Sequence, residues 1–310
     1  MAFNIIGDRY YSASEPKIKI IEPGNYYLKF DEHKSVCYFE FISNSFTLPS
    51  KVYDISTEFN DRVVKSFQNS KGNLGVILNG SQGTGKSVSG KLICNELKLP
   101  VFILQYRIHQ TYLTDLFNSL EQEFVVLIDE YEKIYTEYED DLLTLLDGVT
   151  EPKNKFLLLC TCNELNVSVY LINRPSRIRY IKQFEFLKRN VIEEIVEDKL
   201  KHKKYYSRVI EVLTEYCFDL TVDNCISFVE EVNLYNEDPM KLIKYFNINN
   251  KFNSEILETV TKNNNRRISK AQAKIGFSNK DEINYEVILS NMDEASDSVD
   301  KSSAKIGICN

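Results

Sequence analysis

The 310-residue sequence has no tryptophan, three histidines and three methionines. It also has no apolar run of about 18 residues, the length that a membrane-crossing helix needs, so no membrane association is expected. Met1–Tyr10 lacks the charged start and long apolar stretch of a secretion signal, which points to a cytoplasmic protein. Positive charge is in deficit: 38 Lys and Arg stand against 45 Asp and Glu, a formal net charge of −7. That balance argues against broad electrostatic binding to nucleic acid and leaves room only for a local basic groove. The seven cysteines are scattered and lack the ligand groups of a zinc site. They read as buried apolar side chains in a reducing compartment. With 43 % hydrophobic and 27 % charged residues, the chain can bury a core and accommodate one large α/β domain plus one or two small ones.

Against these absences stands Gly80-Ser81-Gln82-Gly83-Thr84-Gly85-Lys86-Ser87, which fits G-x-x-x-x-G-K-[ST]. It follows a short apolar run, Leu74–Asn79, and precedes a helical pattern with Val88, Leu92, Ile93 and Leu97 at the right spacing. Strand, glycine-rich loop and helix N-terminus together form an anion trap, because free N–H groups converge on the phosphates. Lys86 is expected to meet the β- and γ-phosphates of a nucleoside triphosphate, and the Ser87 hydroxyl to ligate Mg²⁺.

Upstream, Lys17–Ile21, Tyr26–Phe30 and Ser35–Ile42 read as short strands separated by turns, an N-terminal β-rich layer over residues 1–48. Leu48-Pro49 marks a boundary, and residues 57–68 suit a helix. Val101–Gln105, Phe124–Asp129, Phe156–Thr161 and Ile178–Ile181 then alternate with helical segments, the pattern of a parallel sheet covered on both faces. The expected α/β domain spans residues 49–186. Residues 187–260 turn helical, as a small lid, and 261–310 become polar and charged in the manner of a disordered tail.

Phe124–Ile128 ends in Asp129-Glu130. Asp129 is expected to hold Mg²⁺ directly or through water, and Glu130 to act as general base on the attacking water. The next strand ends at Asn163, which suits either contact with the γ-phosphate or the start of a turn. Arg174, Arg177 and Arg179 precede the last strand. They suit either stabilisation of transition-state charge from a neighbouring subunit or a surface salt-bridge cluster.

These elements, in this order, resemble the AAA+ ATPases over about residues 45–250. Asp129-Glu130-Tyr131-Glu132-Lys133 looks like the acidic motif of that superfamily, Leu145-Leu146-Asp147-Gly148 like the turn that follows it in the AAA clade, and Asn163 like its sensor residue. Asn173-Arg174-Pro175-Ser176-Arg177 is similar to the R-P-G-R segment of AAA proteases. The β-layer and Thr221–Asn236 resemble small AAA ATPases of tailed bacteriophages, which implies a host-cell cytoplasm if the chain is phage-encoded. The resemblance implies a three-layer P-loop sandwich with a helical lid, and adenine bound between sheet and lid with contacts from Val52, Tyr53, Asp54 and Ile55. It further implies a homo-oligomeric ring, taken as a hexamer, in which Arg174 and Arg177 act across the subunit boundary. The chain departs from peptide-threading relatives after the second strand of the alternating region, where Tyr106-Arg107-Ile108-His109 carries no glycine. Tyr135–Asp141 would bring acids near a central opening.

Three functions fit. The first is an Mg²⁺-ATPase that remodels an unknown protein or nucleic acid. The second is an ATP-gated adaptor or loader that hydrolyses slowly. The third is a nucleotide kinase, disfavoured because an acid pair stands where water would be activated.

Overall fold

A computed structural model describes residues 2–6, 8–13, 20–53, 57–135, 138–147, 155–165, 167 and 169–251. The expected tail, residues 261–310, lies outside the described residues, as does most of the proposed strand Lys17–Ile21.

Two antiparallel strands open the chain, β1 (Ala2–Ile6) and β2 (Arg9–Ala13). The hairpin β3 (Gly24–Asp31) and β4 (Val36–Ser43) follows. Helix α1 (Thr57–Asn69) leads into β5 (Leu74–Gly80), α2 (Lys86–Leu97), β6 (Pro100–Leu104) and α3 (Gln110–Ser119). Next come β7 (Phe124–Ile128), α4 (Tyr131–Tyr135), α5 (Glu139–Asp147), β8 (Phe156–Cys162), the single turn α6 (Val169–Ile172) and β9 (Ile178–Phe184). Leu145–Asp147, read as a turn by resemblance, form the end of α5, and Gly148 lies outside the described residues.

All strands belong to one nine-stranded sheet in the order β1-β2-β4-β3-β6-β7-β8-β5-β9. From β3 to β9 the pairings are parallel. The N-terminal β-layer is therefore present, and it is hydrogen-bonded to the edge of the parallel sheet rather than detached from it. Gly24 to Tyr27 pair with Pro100 to Ile103. The Gln122 amide closes the join by accepting from the Ile21 N–H at 2.7 Å and donating to the Ile21 carbonyl at 2.8 Å. Phe39 stacks on Phe102 with centroids 4.0 Å apart, and Phe102 continues through Phe124 to Phe156. A ladder of phenylalanine rings thus carries one core from the N-terminal hairpin into the parallel strands, and each ring brings a large apolar area out of water.

Period-two alternation divides the buried strands between two cores. Phe124, Val126 and Ile128 face the aromatic side under α3, α4 and α5. Val125 and Leu127 face α1 and α2 together with Val76, Leu78, Leu157 and Leu159. A third core holds the lid of α7 (Arg189–Lys199), α8 (Tyr206–Glu215), α9 (Val222–Tyr235) and the short α10 (Pro239–Leu242). Tyr53 from the linker before α1 is buried inside that third core. No helix among the described residues is long and apolar enough to cross a membrane.

Candidate nucleotide site

Parallel strands splay where their ladder ends, and the crevice lies at their carboxyl ends. Here β5 runs straight into the glycine-rich loop. Gly83 (φ 77°) and Gly85 (φ 97°) adopt left-handed backbone that a side chain would strain. A Cβ on Gly83 would also stand 2.8 Å from the Thr221 Oγ, so the loop touches the start of lid helix α9. Gly85 caps α2, leaving the first N–H groups of that helix facing the loop.

Lys86 is buried. Its ammonium donates to the carbonyls of Gly80 (2.6 Å) and Ser81 (2.8 Å) and to the Asn163 Oδ1 (3.0 Å). Burial lowers its pKa, while nearby carboxylates, Glu132 first, oppose the shift. The Ser87 hydroxyl donates to the Asp129 Oδ1 at 3.0 Å. Thr161 on β8 donates to the same oxygen at 2.5 Å and accepts the Glu130 N–H at 2.9 Å. The Asn163 side-chain NH₂ donates to Glu132 at 2.7 Å, and its backbone N–H donates to the same Glu132 oxygen at 2.9 Å. Glu130 lies in left-handed backbone (φ 55°) and pairs with Lys133 at 2.6 Å. That ammonium, more than any other group, holds the Glu130 carboxyl below its ordinary pKa.

Lys86, Ser87, Asp129, Glu130 and Asn163 therefore meet in one network, and Ser87 and Asp129 are its oxygen donors for a hard cation. The adjoining cavity, about 330 Å³, is lined by Pro49, Val52, Tyr53, the loop glycines, Val222, Asp223 and Ile226. Of the proposed adenine contacts, Val52 and Tyr53 line it, while Asp54 and Ile55 lie outside the described residues. The Tyr53 hydroxyl donates to Asp198 on α7, and Lys51 pairs with Glu194 at 3.1 Å, so the linker that floors the cavity is tied to the lid.

The arginine turn lies between α6 and β9, and neither Arg174 nor Arg177 lines the cavity. Arg174 is exposed. Arg177 is only 8 % exposed and donates to the Tyr170 carbonyl at 2.5 Å, so its guanidinium is folded against its own subunit rather than presented outward. Of the acids expected near a central opening, Asp140 is exposed and Asp141 is not. Asp141 is buried against Arg107 at 2.9 Å, and Arg107 lies over the Tyr138 ring. The Tyr106 hydroxyl accepts the Phe30 N–H at 2.9 Å, which fastens the segment after β6 to the N-terminal hairpin.

Sequence reasoning missed Thr161, Glu132 as partner of Asn163, and the lid residues Val222 and Ile226. Thr161 stands on β8 two residues before Asn163, which follows the strand end, and that spacing was an available signal. Val222 and Ile226 share a helix face by their i, i+4 spacing, but only folding brings that face to the loop.

Residues 76–186 match the family model described as "ATPase family associated with various cellular activities (AAA)". No curated protein sequence matches the chain. Among solved structures it is similar to the RuvB Holliday junction branch migration motor of Thermotoga maritima, with 18 % identity, 66 % of this chain and 76 % of that chain covered, and a TM-score of 0.48. Two point variants of that RuvB are similar at 17 % identity and 66 % coverage of this chain, with 74 % and 76 % of their own chains covered and TM-scores of 0.48 and 0.49. Residues 76–186, which hold the glycine-rich loop's helix, the acid-tipped strand and Asn163, thus match an AAA ATPase domain.

Proposed function

We propose that this protein is an Mg²⁺-dependent ATPase that works as a homo-oligomeric ring and converts ATP turnover into lid motion on a macromolecular target. One observation supports this above others. A hydrogen-bond network runs from Lys86 through Asn163 to Glu130 and Glu132 and, by way of Thr161, to Asp129, all just past β7, and it opens on a cavity whose far wall is the lid.

The donor set suits Mg²⁺. Ser87 and Asp129 offer hard oxygens 3.0 Å apart. Among the described residues, no group of three or more His, Cys, Asp or Glu could hold a metal by itself. Mg²⁺ fits such a sparse site because it keeps waters and takes phosphate oxygens. When bound, it neutralises charge on the β- and γ-oxygens. Lys86 exchanges its loop carbonyls for phosphate oxygens. Glu130 leaves Lys133 and takes a proton from the water that attacks the γ-phosphorus. The bond to the β-phosphate oxygen breaks, and ADP and inorganic phosphate result. Asn163 holds the γ-phosphate side of that arrangement. Exposed Arg174 is suited to reach a neighbour's γ-phosphate, and Arg177 braces the turn by donating its N–H to the Arg174 carbonyl at 2.8 Å. The hexameric ring size rests on resemblance to AAA+ ATPases.

The test is Glu130→Gln. Turnover should fall by about 10²–10⁴-fold, the range of general-base catalysis, with ATP affinity kept. Unchanged turnover would remove Glu130 as base. The same variant, purified with ATP, should retain its protein or nucleic-acid target.

A second reading, an ATP-gated adaptor or loader, draws support from two ties. Glu130 is held by Lys133, and Tyr106 is engaged by the chain's own β3. Slow basal turnover with strong stimulation by a partner would favour it.

A further inference from the structure

Thr161 carries no role so far, yet one hydroxyl of this side chain touches both halves of the acid pair. The β7–β8 ladder ends at the Ile128–Cys160 pair. Beyond that point the strands part to form the crevice. The Glu130 N–H finds the Thr161 Oγ at 2.9 Å, and the Thr161 O–H is spent on the Asp129 Oδ1 at 2.5 Å. Thr161 is 1 % exposed, so water does not compete for either bond. Glu130 needs the support, since left-handed backbone is costly for a residue with a Cβ.

We propose that Thr161 is a positioning residue that splints the acid pair: it fixes the Asp129 carboxylate for the cation and the backbone turn that aims Glu130. This rests on the ATPase reading above. The Ser87 hydroxyl shares the same Asp129 oxygen, and these two groups would hold the cation. The Thr161 bond comes from β8 and would keep the carboxylate in place with the cation bound.

The experiment uses the full chain with Thr161→Val, which keeps shape and loses the hydroxyl, and Thr161→Ser, which keeps the hydroxyl. ATP affinity is measured by calorimetry with Mg²⁺ and with EDTA, beside kcat and the melting midpoint. For the valine variant, affinity in EDTA should match the parent, while the gain in affinity on adding Mg²⁺ and kcat should each fall by about 10–100-fold, the size of one hydrogen bond to a charged group. Serine should restore both to within about threefold. In an Asp129→Asn background, adding Thr161→Val should cost little further in the Mg²⁺ gain, because the two groups act as one unit.

A valine variant with the parent's Mg²⁺ gain and kcat overturns the role of Thr161 and leaves the ATPase reading standing. A serine variant as impaired as valine, or fully additive losses in the Asp129→Asn background, overturns it as well, since packing would then be what matters. A parent chain that binds ATP no better with Mg²⁺ than with EDTA overturns the metal-dependent ATPase reading, and the inference falls with it.

Discussion

Lys133 and Glu130 set the behaviour of the site at the scale of single residues. Their ion pair, 2.6 Å long and exposed, depresses the Glu130 pKa, so in the folded chain the carboxylate stays ionised further into acid than an ordinary glutamate. Removing the ammonium lets Glu130 take up its proton at higher pH. Lys133→Met should therefore move the acid limb of the pH profile of kcat/KM upward, as read from initial rates across pH 4 to 8 (about the range where such groups titrate). A limb that stays put, or moves down, assigns that limb to another group. Lys86 is the contrary case. Burial pulls its pKa down, and the carboxylates around it, Glu132 first, oppose that shift.

Among the elements, α1 shows how a helix end is held against the sheet. Its last carbonyls have no partner within the helix. Lys155, just before β8, donates to the carbonyls of Phe67 (2.7 Å), Gln68 (3.1 Å) and Ser70 (3.0 Å) and lies over the Phe67 ring. Its side chain is 10 % exposed and pairs with Glu123 at 3.3 Å. Lys155→Met takes this donor from the Gln68 and Ser70 carbonyls, while Phe67 keeps Ser70, and should destabilise the chain by about 2–4 kcal/mol, measured by urea unfolding. A loss under about 0.5 kcal/mol would show that water replaces the ammonium there. The linker before α1 is an element of a different kind. Tyr53 is buried in the lid core and hydrogen-bonded to Asp198, so the floor of the cavity is tied to α7.

For the whole molecule, the decisive question is whether the site is completed by a second copy. Arg174 is exposed on a turn outside its own cavity, while Arg177 is buried. Arg174→Ala should lower kcat by about 10³-fold or more without weakening ATP binding, as loss of a transition-state arginine does. Mixing that variant with Glu130→Gln gives the sharper measurement. Each variant lacks a different half of a shared site, so mixed assemblies should regain turnover that neither shows alone. Mixtures as inactive as their parts, under conditions where the subunits co-assemble, would place Arg174 outside catalysis.

The sequence by itself determined the local chemistry: the Gly80–Ser87 loop, the Asp129-Glu130 strand end, the strand–helix alternation and the helical lid. Each of these follows from backbone freedom, residue chemistry or periodicity within a few neighbouring residues. Only the tertiary structure decided what depends on distant segments meeting. Pairing of β3 with β6 merged the N-terminal strands into the main sheet, because the Tyr26, Phe39 and Phe102 rings bury one another. Packing of α9 on the loop brought Val222 and Ile226 to the cavity. Folding also turned Arg177 onto the Tyr170 carbonyl and bound Asp141 to Arg107, since a buried charge must find a partner in space.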